Sequence, residues 1–183
     1  SAIIRVQEKE EYVSRGAHKL QGALDTFELS PRDRVCADVG ASTGGFTEVL
    51  LRNGAKKVFA IDVARGEIAW KLRNDPRVVL LERTNARHLE QLPEPVDFVT
   101  VDVSFISAHR ILPRIKGWLR DLQTAEVVVL VKPQFEARRD QIEEGGLVVA
   151  PQIHVEILSN FNLALEEHGL ALAGLMRSPI EGR

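Results

Sequence analysis

Two strand ends and one glycine turn hold the residues with which this chain could do chemistry. The stretch DVGASTGGF (38–46) sets Gly40, Gly44 and Gly45 between a short apolar run and a segment of helical spacing. Two further apolar runs, in VTVDVSF and VVVLVKPQF, end on Asp102 and Lys132. A glycine turn between a strand and a helix lets backbone approach a small polar or anionic ligand over the helix N-terminus. An acid and a lysine at neighbouring strand ends can orient and deprotonate a bound substrate.

The turn itself narrows the ligand. Gly45 is followed by Phe46 and Thr47, so the lysine and the following hydroxyl residue of a nucleoside-triphosphate loop are missing. The spacing Gly40, Ala41, Ser42, Thr43, Gly44 also departs from the dinucleotide pattern G-x-G-x-x-G, which weakens a dehydrogenase reading without excluding it. Asp62 ends the second apolar run 22 residues beyond Gly40, close to the spacing of about 20 at which an acid grips ribose hydroxyls. A ligand with an adenosine ribose and no clamped phosphate fits, and S-adenosylmethionine has that form. Gly40, Ala41, Ser42, Thr43, Gly44 and Phe46 are then expected to surround the cofactor, Asp62 to accept from its ribose, and Asn85, after the third strand, to approach the adenine.

Chemistry narrows the acceptor. Enzymes that methylate a flipped adenine's amino group carry a polar residue followed by Pro-Pro-aromatic at the fourth strand end, where this chain has Asp102-Val103-Ser104-Phe105. Cytosine C5 chemistry needs a cysteine nucleophile, and the single cysteine, Cys36, falls on the first strand. A hydroxyl acceptor must lose its proton, which a lysine of lowered pKa can take. Lys132 is the expected base and Asp102 fixes its position; Lys19, on an opening helix in SRGAHKL, is a candidate for the second cation, its other reading being a solvent-facing helix lysine. Ser104, Arg15 and His18 are candidates for contact with the acceptor.

The elements that must position these residues alternate. Apolar runs predict strands at 35–39, 57–61, 78–81, 98–101, 126–131 and 170–175, and helical spacing predicts helices at 46–52, 67–74, 111–122 and 153–168. This rhythm predicts an α/β protein, a doubly wound, mostly parallel sheet with helices on both faces. Strands one, four and five are apolar enough to be buried on both sides. An additional helix is expected at 15–27, capped by Ser14, and an antiparallel edge strand is expected to lie beyond the sixth run.

The bulk numbers agree with one domain of 183 residues, 44% hydrophobic and 27% charged. The net charge of −2 lacks the basic excess of a stand-alone nucleic-acid binder, although Arg15, His18 and Lys19, Arg83, Arg87 and His88, and Arg138 with Arg139 form local basic clusters. No apolar run approaches the 18 to 20 or so residues of a membrane helix, and no signal-peptide pattern opens the chain, so a cytoplasmic protein is expected. A lone cysteine in an apolar strand is expected to be a small core residue.

The segments YVSRGAHKL, DVGASTGGFTEVLLRNGAKKVFAIDV, WKLRNDPRVVLLERTNARHL, DFVTVDVSFIS, VVLVKPQFEA and SPI resemble, in order, those of the TlyA family, also called haemolysin A, within the FtsJ-like ribose methyltransferases. The resemblance implies a Rossmann-like class I fold and S-adenosylmethionine-dependent methylation of the ribose 2′-hydroxyl of cytidines in ribosomal RNA or ribosomal subunits. It implies a Lys-Asp-Lys-Glu tetrad whose first three members match Lys19, Asp102 and Lys132. The glutamate would follow the SPI segment at a distance that Glu181 is too early to match. It further implies that residues 1–11 are the tail of an N-terminal RNA-binding domain, and that 12–183 form a methyltransferase domain lacking its last strand. A methyltransferase for a small hydroxylated molecule is the alternative enzyme reading. A membrane-active haemolysin is the alternative from another class, and would need a spanning or strongly amphipathic segment.

Overall fold

In a computed structural model, residues 12–181 are described; the expected tail at 1–11 lies outside them. Five strands form one parallel sheet: β1 (Val35–Val39), β2 (Lys57–Ile61), β3 (Val78–Leu81), β4 (Phe98–Val101) and β5 (Glu126–Val129), in the order β3-β2-β1-β4-β5. The chain leaves β1 toward β2 and β3 and then crosses to β4 and β5 on the other side. The direction therefore reverses between β1 and β4, and in open sheets of this kind ligands lie at the C-terminal ends of the strands flanking that reversal. The glycine turn follows β1, and Asp102 follows β4.

Six α-helices complete the described chain: α1 (Ala17–Phe27), α2 (Gly45–Arg52), α3 (Trp70–Arg73), α4 (Leu112–Trp118), α5 (Pro133–Glu136) and α6 (Pro151–Glu167). Successive strand residues point to opposite faces, so Val35, Ala37 and Val39 enter one apolar cluster while Cys36 enters the other. α1, α2 and α3 cover the Cys36 face with Leu20, Leu24, Val49, Leu50 and Leu72. α4 and α6 cover the opposite face with Leu112, Ile115, Trp118, Phe161 and Leu165. Trp118 is fully buried and its indole N–H donates to the Leu89 carbonyl, whereas Trp70, at the start of α3, is exposed. Burial pushes the Cys36 thiol up to about 12, so it is an inert core residue, as its apolar surroundings imply.

The structure corrects several sequence expectations. The helix expected at 67–74 shortens to α3, because Glu67 and Ile68 turn toward the strand ends and the Ala69 amide donates to the Thr43 carbonyl. The helix expected at 111–122 begins with a 3-10 turn, Ala108–Ile111, and ends at Trp118. Ser14 makes no side-chain cap on α1; its carbonyl, not its hydroxyl, accepts from the Ala17 amide. β5 ends at Val129 and is only half-buried, because among the described residues it pairs with β4 alone. The strand expected at 170–175 does not form. That stretch has no ladder partner among the described residues and is mostly exposed, with Gly174 lying against the Phe27 ring.

Candidate functional site

The glycine turn is built by close approach. Gly40 has φ +84°, and a Cβ there would lie 2.4 Å from the Asp102 carbonyl oxygen. Gly44 has φ +97°, and a Cβ there would meet Leu72 at 2.3 Å. Both positions thus need glycine on conformation, and Gly40, which faces backbone and not the end of a flexible side chain, needs it on space as well. Gly45 opens α2, where its missing side chain lets Ser14 and the start of α1 lie against it. The turn is drawn onto the sheet by Gly40 and Ala41 amides that donate to the Ile61 carbonyl.

Asp62 ties the turn to the end of β2. One carboxylate oxygen accepts from the Ser42 amide at 2.7 Å, and the other from the Ala64 amide at 2.8 Å. Each oxygen keeps a lone pair for a further donor. Around it lies a shallow pocket lined by Ala41, Ser42, Ala60, Ile68, Leu80 and three carboxylates, Asp62, Glu67 and Glu82. No lysine or arginine lines it. Glu82 is paired with Arg73, so Asp62 and Glu67 are the acids of this rim that attract a cation and repel a phosphate. Of the residues expected at the cofactor, Gly40, Ala41, Ser42, Thr43, Gly44 and Phe46 lie on or directly after the turn; Ser42 and Thr43 are exposed, and Phe46 is buried in the core. Asn85 is half-buried in an Asx turn, its oxygen accepting from the Arg87 amide at 3.1 Å while its amide nitrogen makes no hydrogen bond among the described residues.

Asp102 and Lys132 come together at the ends of β4 and β5. Lys132 Nζ lies 2.6 Å from Asp102 Oδ1 and donates to Ser104 Oγ at 2.8 Å. Oδ1 is buried and compensated by this ion pair, with no further donor to it among the described residues. Lys132 Nζ also lies 5.9 Å from the centre of the Phe135 ring, which packs at 5.4 Å against Phe105. Phe105 is 89% exposed and adopts φ +66°, an uncommon conformation for an aromatic residue.

Lys19 is half-buried on α1 and forms no ion pair with Asp102. The structure therefore joins Asp102 to Lys132 without joining Lys19 to either. Arg15 is exposed, and His18 packs edge-on against Tyr12 at 5.4 Å.

Two acids escaped the sequence reading. Asp38 is wholly buried at the end of β1, accepting from Thr47 Oγ1 at 2.6 Å and Thr100 Oγ1 at 3.0 Å. Burial pushes its carboxyl up to about 6 against the two threonine bonds, and the Asp102 charge adds to the rise. Glu48 on α2 accepts from the Val13 amide and from Lys71 and Arg52. Its burial would raise its pKa, but those partners together hold it below the usual carboxylate range. Only the acid before the glycines signalled Asp38, and nothing in the helical pattern of α2 signalled Glu48. No group of histidine, cysteine and carboxylate side chains among the described residues could hold a metal ion.

Comparison with known proteins agrees with this geometry. The family model described as FtsJ-like methyltransferase matches residues 12–183. The 16S/23S rRNA (cytidine-2'-O)-methyltransferase TlyA of Mycobacterium tuberculosis is 49% identical over 173 residues, 93% of this chain and 64% of that one. Hemolysin A of Brachyspira hyodysenteriae is 41% identical over 98% of this chain and 75% of its own length. The solved structure of a Streptococcus thermophilus protein carrying the hemolysin name superposes with a TM-score of 0.90 at 46% identity, covering 97% of this chain and 64% of the other. The chain thus spans just under two thirds of the length of the first curated relatives that it matches.

Proposed function

Because the chain belongs to the FtsJ-like methyltransferase family, we propose that it carries out S-adenosylmethionine-dependent methylation of a ribose 2′-hydroxyl, on cytidine in ribosomal RNA. The observation that carries this reading is the Asp102–Lys132 pair, with Ser104, at the same crevice as a glycine turn and an acid-rimmed pocket. The residues present suit the cofactor. Asp62 and the exposed turn residues Ser42 and Thr43 would hold its nucleoside end, and the carboxylate rim favours its positive charge. When bound, S-adenosylmethionine supplies an electrophilic methyl group.

The side chains supply orientation and proton transfer. Ser104 and Asp102 fix Nζ of Lys132 between them, and Lys132 is the group that would take the proton of the 2′-hydroxyl. Lys19 on α1 is the proposed second cation of this reading. Phe105, exposed and braced by Phe135 beside Lys132, is a surface on which a base can stack. That surface favours a nucleotide over a small hydroxylated molecule. Asn85, with its amide nitrogen unengaged, would face the adenine. The hemolysin name shared by two of the relatives finds no support in a spanning segment: among the described residues, no helix is long and apolar enough to cross a membrane. A cytoplasmic location follows from ribosomal RNA as the substrate.

The test is titration of the protein with S-adenosylmethionine and, in parallel, with NAD, followed by transfer of labelled methyl to ribosomal RNA and to ribosomal subunits. Binding of the first ligand alone, with label recovered on ribose, is the expected result. Binding of NAD, or label recovered on a base, overturns the reading.

A further inference from the structure

Glu136 ends the short helix that Lys132 begins, and its carboxylate is turned away from solvent, with the side chain only 6% exposed. It reaches across to the other strand end. Oε1 accepts from the Ala108 amide at 2.7 Å, and Oε2 accepts from the Ser107 hydroxyl. His109 Nδ1 lies 2.6 Å from Ser107 Oγ and 3.5 Å from Glu136 Oε2. Because the Ser107 proton goes to Glu136, the hydroxyl accepts from His109, and the cluster is not an activated nucleophile with its base.

The consequence concerns the segment between two anchors. Residue 102 is held at the end of β4, its amide donating to the Val39 carbonyl. Residue 108 is held by Glu136. Between them, residues 103–107 carry Ser104, which touches Lys132, and Phe105, which leans on Phe135. The conformation of Phe105, at φ +66°, is one that needs such surroundings to persist. Lys132 and Phe135 belong to the same turn as Glu136.

We propose that Glu136 is the positioning residue of the transfer centre: it clamps the β4 loop to the β5 loop, and so sets Ser104 and Phe105 over Lys132. This rests on the reading of Asp102 and Lys132 as that centre. The clamp makes two hydrogen bonds with one carboxylate, a satisfied buried arrangement that bonds to residues 107 and 108 and to none of the cofactor turn after β1. Its loss therefore affects acceptor alignment and turnover rather than cofactor affinity.

The test compares Glu136→Ala and Glu136→Gln with the unaltered protein by three readouts: amide hydrogen exchange, affinity for S-adenosylmethionine, and methyl transfer to ribosomal RNA resolved into kcat and KM. Glu136→Ala is expected to speed exchange at residues 104–108 by at least about tenfold and to leave β1 protected. Cofactor affinity should stay within about twofold, and kcat should fall by roughly 10- to 100-fold, the scale of a small misalignment. Glu136→Gln should recover most of both losses, since its amide oxygen can accept from Ala108 and its NH2 can donate to Ser107. Unchanged exchange and kcat in Glu136→Ala overturn the proposal, as does loss of protection and cofactor affinity throughout the molecule. Ser107→Ala, which removes one donor only, should show a smaller version of the same local effect; no local effect there and in Glu136→Gln, with Glu136→Ala unfolded, also overturns it. Absence of RNA methylation by the unaltered protein would sink the transfer reading, whereas the exchange data decide the clamp independently.

Discussion

Gly40 lies against the Asp102 carbonyl with no room between them for a single methyl group. A Cβ on Gly40 would stand 2.4 Å from the Asp102 carbonyl oxygen, so the cofactor turn after β1 and the acid after β4 are in direct backbone contact. The two halves of the crevice cannot be altered separately at this point.

Gly40→Ala is accordingly expected to damage both halves. The substitution forces an alanine to φ +84° and drives its Cβ into backbone rather than into a flexible side chain. Overpacking of this kind costs about 1–3 kcal/mol in addition to the cost of the left-handed conformation. Urea unfolding should show the loss of stability, and titration calorimetry the loss of S-adenosylmethionine affinity. Native stability in Gly40→Ala would show that the turn can move off β4.

Lys132→Ala should lower methyl transfer by at least about 100-fold, the usual scale for a general base, while S-adenosylmethionine still binds. Single-turnover transfer to ribosomal RNA measures this directly. Normal turnover would remove Lys132 from the chemistry.

Asp62 has two tasks, and its variants should separate them. Asp62→Ala leaves the Ser42 and Ala64 amides without their acceptor and removes the ribose contact, so affinity for S-adenosylmethionine should fall by at least about tenfold. Asp62→Asn retains one acceptor oxygen and should fall between. Calorimetry, with thermal unfolding alongside, gives both effects; undiminished affinity in Asp62→Ala would refute the ribose contact.

Asp38 gives the fold a pH dependence of unusual sign. Its carboxyl titrates near 6 when buried and near 3.8 when free. Between these values the unfolded chain has released a proton that the folded one retains. The resulting stabilisation, about 3 kcal/mol, is complete below pH 3.8 and is lost as pH rises through 6. Thermal unfolding compared between the unaltered protein and Asp38→Asn should show their difference changing between pH 4 and 7 and constant above it. A constant difference across that range would mean that Asp38 is charged throughout.

The chain's local patterns carried most of the sheet. The apolar runs at 35–39, 57–61, 78–81 and 98–101 coincide with β1 to β4, because a buried parallel strand is a continuous apolar segment and needs no distant information. The places of Asp62 and Asp102, directly after β2 and β4, were legible for the same reason, whereas Lys132 lies three residues beyond the end of β5, on the loop that brings it to Asp102. What could not be read depends on partners far apart in sequence. The Glu136 clamp joins residues separated by 28 and 29 positions, and Asp38 is closed off by Thr47 and Thr100, 9 and 62 positions away. α3 is shorter than its spacing implied because Ala69 is drawn to Thr43, a tertiary bond that no periodicity encodes. The run at 170–175 has the composition of a strand but no neighbour to pair with among the described residues.

The placement of the two tryptophans makes the protein its own indicator. Trp118 is sealed in the core beneath the sheet, and Trp70 stands in water two residues after Ile68 at the rim of the carboxylate pocket. Their fluorescence should therefore occupy different parts of one emission spectrum, the blue component following global unfolding and the red component following events at the pocket. Quenching by acrylamide would strip away the second colour first, leaving a probe of the core untouched and turning ligand occupancy into an optical signal that needs no dye.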